Sequence, residues 1–264
     1  MTSSAKNPLG AAGTISVGVS TKMYLGYQAS LRWLAEVRSV VDARPGLAGD
    51  SAVRVFVIPS FPVLEQAGRI LDGSPVLLGA QNCSWAAGPL TGEVSPGMLA
   101  ELGVSLVELG HAERRRIFGE DDRVVARKVV AAVAAGLTPL LCIGEPDLLD
   151  HQAAADFCLR QVRSGTGGDN SLLPRLVLAY EPVWAIGADR PASAEYVNAV
   201  TGLIRDALGP ASHIIYGGSA GPGLLPALTG VDGLFLGRFA HDAGNLGRVL
   251  DEALARIGSD SNGQ

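Results

Sequence analysis

Cysteine is scarce in this chain, with three among 264 residues. Cys83, Cys142 and Cys158 are odd in number, and no pair has the spacing of metal ligands, which excludes a disulfide scaffold and a thiolate metal site. The expectation is reduced, buried thiols in a cytoplasmic protein. Charge is also thin: charged residues make up 18% of the chain, the net charge is -5 and the pI is near 5.4. Binding a phosphate backbone needs a clustered basic face, and the run Arg114-Arg115-Arg116 is too short to form one, so nucleic acid is not expected as a partner. Long apolar runs are missing too. None approaches the roughly 20 residues that a membrane helix requires, so no membrane partner is expected. Residues 1–13 are small and polar, contain a single lysine and lack an apolar centre; they read as a frayed terminus and not as a secretory signal. Residues 259–264 read as a short C-terminal tail.

What the chain has is apolar material for a large core, at 47% hydrophobic, which suits one sizeable soluble domain over residues 14–258. Short aliphatic or β-branched runs recur at 15–19, 53–58, 76–79, 106–109, 140–143, 176–180, 214–216 and 234–236. Their continuity, without strict alternation, suits strands covered on both faces. Helical patterns follow them, including 30–42, 62–71, 122–135, 153–162, 194–208 and 245–257, with Ser, Thr or Asp marking starts and Gly or Pro often following ends. Eight such alternations predict a single-domain α/β fold, a closed (β/α)8 TIM barrel. An open doubly wound sheet would usually carry Gly-x-Gly-x-x-Gly after its first strand, whereas this first strand runs into Ser20-Thr21-Lys22-Met23.

Barrel enzymes set their chemistry at the C-terminal ends of the strands. Lys22 lies just past the first strand, where an ammonium can attract a phosphate or stabilise an oxyanion. His111, in Leu109-Gly110-His111-Ala112-Glu113, emerges where a helix should begin, and a positive helix terminus favours its neutral, hydrogen-bonding form. Glu181 ends the sixth strand immediately before a loop of small residues, the arrangement of a general base beneath a mobile cover. Glu108, inside its strand, and Glu145 fit internal hydrogen bonding or ion pairing better than proton abstraction, and Glu113 is expected to pair with Arg114 or Arg115. Tyr216-Gly217-Gly218-Ser219 and Leu236-Gly237-Arg238 expose backbone N–H groups where barrels often bind phosphate. Taken singly, each feature has an ordinary structural explanation: a solvated lysine, a satisfied histidine, a tight glycine turn. Together they describe one site.

These residues resemble the triosephosphate isomerase family over nearly the whole chain. The matching segments are Gly79-Ala80-Gln81-Asn82, Thr91-Gly92-Glu93, Leu109-Gly110-His111 through Arg115, Cys142-Ile143-Gly144-Glu145, Ala179 through Gly187, and Tyr216 through Ser219. The resemblance implies that Glu181 shuttles a proton between adjacent carbons, His111 polarises and protonates the enediolate oxygens, and Lys22 stabilises the negative charge. It further implies a lid over residues 182–192 and a phosphate held by Gly187, Ser219, Gly237 and Arg238. No metal or organic cofactor is implied. A homodimer is, through the 81–93 loop that opens on Gln81 and closes on Glu93, with Trp85-Ala86-Ala87 at its tip.

The chain departs from the family pattern at four places. Ser20 stands where an asparagine is usual, Arg238 follows a strand that normally ends in Gly-Gly, Pro191 stiffens the far side of the lid, and the third loop is slightly shortened. Ser20 with Arg238 resembles the branch that acts on erythrulose phosphates. That branch implies conversion of L-erythrulose 1-phosphate to D-erythrulose 4-phosphate, the same enediolate chemistry in a larger pocket. Interconversion of dihydroxyacetone phosphate and D-glyceraldehyde 3-phosphate is the alternative substrate reading, and a non-catalytic barrel binding a phosphorylated ligand is a more remote one.

Overall fold

The computed structural model describes residues 7–10, 13–188 and 190–262. Eight parallel strands close into a barrel in sequence order: β1 Ile15–Ser20, β2 Val53–Ile58, β3 Leu77–Ala80, β4 Leu106–Leu109, β5 Thr138–Ile143, β6 Val177–Tyr180, β7 His213–Tyr216 and β8 Gly233–Leu236. Closure is made where Val17 of β1 stands beside Leu234 of β8. The outer helices are α1 Tyr27–Asp42, α2 Leu64–Leu71, α3 Pro96–Glu101, α4 Ala112–Phe118, α5 Asp122–Ala134, α6 His151–Gly165, α7 Ala194–Leu208 and α8 Ala243–Asn262.

The expected strands are all present, with boundaries shifted by at most two residues. Helices α3 and α4 were not legible as apolar patterns for a physical reason: both are short, and α4 buries none of its residues. They are set by their ends instead. The Ser95 hydroxyl accepts the N–H of Met98, and His111 caps α4.

Strand alternation divides the core in two. Outward-facing Val17, Val19, Val107, Leu109, Leu141 and Ile143 pack under the helices, whereas Phe56, Ile58, Leu106, Leu140, Val177, Ala179, Ile215 and Phe235 fill the barrel interior. Phe56 and Phe235 stack there at 5.7 Å between ring centroids. Leu9 joins this inner cluster, fully buried, while Asn7 Nδ2 donates to the Leu176 carbonyl at 3.0 Å. Leu176 precedes β6, so this segment plugs the end of the barrel opposite the strand termini. A buried leucine contributes about 1.5–3 kcal/mol. Of the stretch expected to fray, residues 7–10 are therefore packed and residues 1–6, 11 and 12 lie outside the described residues. At the other end α8 continues through Asn262, beyond the boundary expected at 258; residues 263 and 264 lie outside the described residues.

The three cysteines are free and buried, as their number and spacing suggested. Among the described residues no helix is long and apolar enough to cross a membrane.

Candidate active site

The period of two that points Gly18, Leu106 and Ala179 into the barrel also points Ser20, Glu108 and Glu181 into it, two residues higher at the strand ends. There a cleft of about 1250 Å³ opens, lined by these three with Lys22, His111 and the loops after β6, β7 and β8.

Glu181 is 6% exposed. Its backbone N–H donates to the Ile143 carbonyl at 2.7 Å, and two glycines make room for it. A Cβ on Gly144 would stand 2.0 Å from the Glu181 carbonyl oxygen, and one on Gly217 would stand 2.6 Å from Oε1. The glycines of Cys142-Ile143-Gly144-Glu145 and Tyr216-Gly217-Gly218-Ser219 are thus the mould of the carboxylate. Oε2 is buried with no hydrogen-bond partner among the described residues and lies 3.7 Å from His111 Nε2. Burial and the charge of Glu108, opposed by Lys22 and a hydrogen bond from Cys142, push the Glu181 pKa up to about 8. An underused, hard-to-ionise carboxylate in a cleft has the properties of a base awaiting a proton donor.

His111 caps α4, and its Nδ1 accepts the Glu113 N–H at 3.1 Å. A ring that accepts at Nδ1 and stays neutral carries its proton on Nε2, the nitrogen that faces Glu181. Burial and then the Lys22 charge hold its pKa down to about 4, so near neutral pH it is a neutral donor.

Lys22 has the left-handed φ of 47°, an uncommon conformation for a residue with a side chain. Its carbonyl accepts from the Ser60 hydroxyl at 2.7 Å and Gln81 Nε2 at 2.8 Å, and more weakly from the Thr21 hydroxyl at 3.4 Å. Its ammonium donates to Glu113 Oε1 at 2.6 Å. This corrects the expected pairing of Glu113. Arg114 pairs with Glu120 and Arg115 with Asp122, because consecutive helix positions point about 100° apart and Glu113 is the one turned toward Lys22. Burial lowers the lysine pKa, but the Glu113 hydrogen bond and the charges of Glu113, Glu181 and Glu108 outweigh it and raise the net value.

The segment expected to form a lid runs from Pro182. Its first turn, Val183–Ala185, is tied to the buried Glu145, which accepts Trp184 Nε1 at 2.8 Å, Tyr196 Oη at 3.0 Å and Tyr180 Oη at 3.2 Å. Glu145 is structural, as read from its position. At the far side the Ala192 N–H donates to Tyr216 Oη at 3.0 Å. The single proton of the Ser219 hydroxyl is shared between the carbonyls of Ala185 and Ala188, at 2.9 and 3.0 Å. Ser219 therefore holds the lid with its side chain and has its backbone N–H left for a ligand. The N–H groups of Gly187, Ser219, Gly237 and Arg238 have no backbone acceptor among the described residues, and all four residues line one end of the cleft. Arg238 reaches over the Tyr24 ring at 5.8 Å, and its guanidinium comes within 3.9 Å of where a Cβ on Gly187 would be. Convergent free N–H donors with a guanidinium make an anion cradle.

The cleft thus joins all the residues singled out from the sequence: Glu181, His111 and Lys22 at its base, Ser20 beside them, and Gly187, Ser219, Gly237 and Arg238 at the cradle. Sequence reading missed Gln81 and Ser60 as the clamp on Lys22, although Gln81 sits in a quoted motif. It also missed that Glu108 faces the cleft, where the Ser20 hydroxyl donates to its Oε2 at 2.9 Å. Alternation from Leu106 was the available signal. Among the described residues no group of three or more His, Cys, Asp or Glu is placed to hold a metal ion.

Comparison with known proteins agrees with this geometry. The chain is 46% identical over 248 residues to an L-erythrulose-1-phosphate isomerase of Pectobacterium atrosepticum, covering 90% of this chain and 95% of the relative. It is 41% identical to the enzyme of the same name from Rhizobium etli, covering 93% and 94%. A triosephosphate isomerase of Pelobacter propionicus is 38% identical, covering 83% and 93%. The crystal structure of triosephosphate isomerase from Bartonella henselae superposes with a TM-score of 0.76 at 28% identity, covering 92% of this chain and 99% of that one. With the triosephosphate isomerase family model matching residues 15–253, the chain belongs to the triosephosphate isomerase family, a family of phosphosugar isomerases.

Proposed function

We propose that this protein isomerises L-erythrulose 1-phosphate to D-erythrulose 4-phosphate through an enediolate. The observation that carries the reaction is the pairing of Glu181 and His111 across the cleft, the unpartnered Oε2 of one 3.7 Å from the protonated nitrogen of the other. Glu181 takes the proton from C3, the hydroxyl-bearing carbon beside the C2 carbonyl. His111 donates its Nε2 proton to the C2 oxygen as that oxygen becomes negative and takes the C3 hydroxyl proton in its place, which restores the neutral ring, and Lys22 lies close enough to stabilise the charge. Return of the proton to C2 leaves the carbonyl at C3, which is D-erythrulose 4-phosphate numbered from the other end. The free N–H groups at Gly187, Ser219, Gly237 and Arg238, with the Arg238 guanidinium, receive the phosphate dianion. Closure of the lid keeps water from the enediolate, which would otherwise eliminate phosphate.

The four-carbon substrate is supported by Ser20, whose short side chain leaves room above β1, and by the names of the relatives at 46% and 41% identity. Turnover of purified protein on L-erythrulose 1-phosphate and on D-glyceraldehyde 3-phosphate tests this. A higher kcat/KM for the tetrulose is expected, and preference for the triose would assign the chain to triosephosphate isomerisation instead.

A homodimer belongs to the same reading. Met23 (89% exposed), Ile117 and Phe118 are exposed apolar side chains, and residues 86–89 of the 81–93 loop stand exposed. Trp85 of that loop does not project; it packs against Arg127 of its own chain, 4.6 Å from ring centroid to guanidinium. Sedimentation at micromolar concentration is expected to give the mass of two chains.

A further inference from the structure

The mechanism leaves one buried charged group of the cleft unused. Glu108 is 5% exposed, is in none of the ion pairs among the described residues, and has a single hydrogen-bond partner there, the Ser20 hydroxyl on Oε2. Burial pushes its pKa up to about 7, with Ser20 and Lys22 opposing. Its charge also works against the base, since it is the largest influence after burial in raising Glu181. A carboxylate placed in a barrel interior without a cation is costly, and apolar residues of similar volume usually replace such groups without loss. Its retention at the floor of a ligand cleft therefore points to a ligand.

The chemistry of that ligand follows from where Glu108 stands. The cleft is cationic at its cradle, where Arg238 stands, and Glu108 lies among Ser20, Lys22 and Glu181 at the end where carbon chemistry occurs. In its ionised form Glu108 repels a phosphate dianion, which the cradle receives instead. A sugar hydroxyl can, because an ionised carboxylate with a free oxygen is a strong acceptor for an O–H donor. Ser20 fixes Oε2 and leaves Oε1 for it. A triose phosphate and a tetrulose phosphate share the two carbons that react and the phosphate; they differ by one hydroxymethyl group attached to the carbon that Glu181 deprotonates. We propose that Glu108, oriented by Ser20, is the specificity-determining residue of this site and accepts a hydrogen bond from the hydroxyl of that additional carbon. This rests on the isomerase reading above and adds the residue that selects the longer substrate.

The arrangement explains why Ser20 and Glu108 occur together. Serine alone only enlarges the space above β1. Serine bonded to a carboxylate enlarges it and supplies an acceptor at a fixed place, and a site built to hydrogen-bond a hydroxyl discriminates much more strongly than one built on volume alone.

The test compares wild type, Glu108→Gln and Glu108→Leu for kcat/KM on L-erythrulose 1-phosphate and on D-glyceraldehyde 3-phosphate. It also measures calorimetric binding of two unreactive probes, erythritol 4-phosphate and glycerol 3-phosphate. Wild type is expected to favour the four-carbon member of each pair. Relative to the triose, Glu108→Leu is expected to lose about 30- to 100-fold on the tetrulose, the size of a lost hydrogen bond to a charged group; the fall in the Glu181 pKa that follows removal of the Glu108 charge acts on both substrates alike and cancels in this ratio. Glu108→Gln, which retains a carbonyl acceptor, should lie between. The melting temperature of Glu108→Leu should be equal to or above that of wild type, since an unpaired buried charge is removed. Equal losses on both substrates, an unchanged preference between the two probes, or a lowered melting temperature with uniformly weakened binding would each overturn the proposal and leave Glu108 structural. A wild type that itself prefers the triose would overturn the four-carbon reading and this assignment together, so the two failures are told apart by the wild-type measurement.

Discussion

Lys22 Nζ and Glu113 Oε1 lie 2.6 Å apart across 91 residues of sequence, joining the loop after β1 to the first turn of α4. The other Glu113 oxygen is 3.6 Å from His111 Nδ1. That approach is not an ion pair, because Nδ1 already accepts the Glu113 N–H and the ring is held neutral. Glu113 therefore positions the lysine with its side chain and the histidine with its backbone. It holds two groups of the site from the wall of the cleft.

Replacing Glu113 by glutamine separates these duties. The backbone N–H remains and so does the histidine tautomer, but the ammonium loses its charged anchor. A displaced catalytic group of this kind costs on the order of 100-fold, so kcat/KM of Glu113→Gln is expected to fall between about 10- and 100-fold. The melting temperature should change little, since the Glu113 side chain is 40% exposed and exposed pairs contribute at most about 1 kcal/mol. Steady-state kinetics beside a thermal melt checks both.

His111→Asn tests the neutral donor. Asparagine can still cap α4 through its side-chain oxygen, so folding is expected to survive. It cannot place a donor where Nε2 stands. Loss of one preorganised donor to a developing oxyanion costs about 100- to 1000-fold in kcat, with KM changed far less. A variant retaining more than a tenth of wild-type kcat would remove His111 from the reaction.

The barrel, its eight strands and the trio of Glu181, His111 and Lys22 were legible because each rests on local sequence. Buried parallel strands are continuous apolar runs, and the functional groups sit directly at their ends. What was not legible depends on closure of the barrel. Glu113 reads locally as a partner for Arg114 or Arg115, since sequence neighbours are visible and Lys22 is not. Ser20 and Glu108 meet across the barrel interior, from β1 to β4. Leu9 reads as part of a polar terminus because a single leucine has no periodicity, yet a barrel end needs only one apolar plug. Helix α4 is legible only at its start, at His111: with no buried residue it leaves no apolar pattern to mark its length.

The pH dependence follows from groups that move in opposite senses. Glu181, raised to about 8 by burial and by Glu108, must lose its proton to act as a base, so kcat/KM of the free enzyme should rise with pH well above the ordinary carboxylate range. Stability runs the other way over that interval. Between the unfolded carboxylate pKa, about 4.5, and about 8 the folded state holds a proton that the unfolded chain has lost, so this group's contribution declines as pH rises. His111 has the reverse effect below neutrality. The unfolded ring binds a proton near 6.5 and the folded one only near 4, so stability is lost as pH falls through that window. Glu181→Gln should therefore show a smaller drop in melting temperature than wild type between pH 5.5 and 8. An identical drop in calorimetry would contradict a raised Glu181 pKa.

The lid supplies the last prediction. Tyr216 Oη holds it at Ala192, and the Ser219 hydroxyl holds it at Ala185 and Ala188, so both anchors come from the end of β7 and the loop after it, while Glu145 secures the near hinge. Each hydrogen bond contributes about 1 kcal/mol, roughly a factor of five in the closing equilibrium. Tyr216→Phe removes one bond while keeping the ring that packs at 6.2 Å from Tyr180, and should lower kcat/KM about 5-fold. Ser219→Ala removes one bond shared between two carbonyls, and its φ of 51° also becomes less favourable without a polar side chain, so its loss should be about 5- to 10-fold. A weakened lid has a second consequence that a damaged base does not. It lets the enediolate eliminate phosphate, so inorganic phosphate released per isomerisation should rise in both variants. In Glu181→Asp, turnover should fall on the order of 100-fold for a displaced base, with that ratio unchanged because the lid contacts are intact. Measured together, phosphate release and isomerisation distinguish loss of cover from loss of chemistry, and a ratio that stays flat in Tyr216→Phe and Ser219→Ala would mean that these bonds do not govern closure.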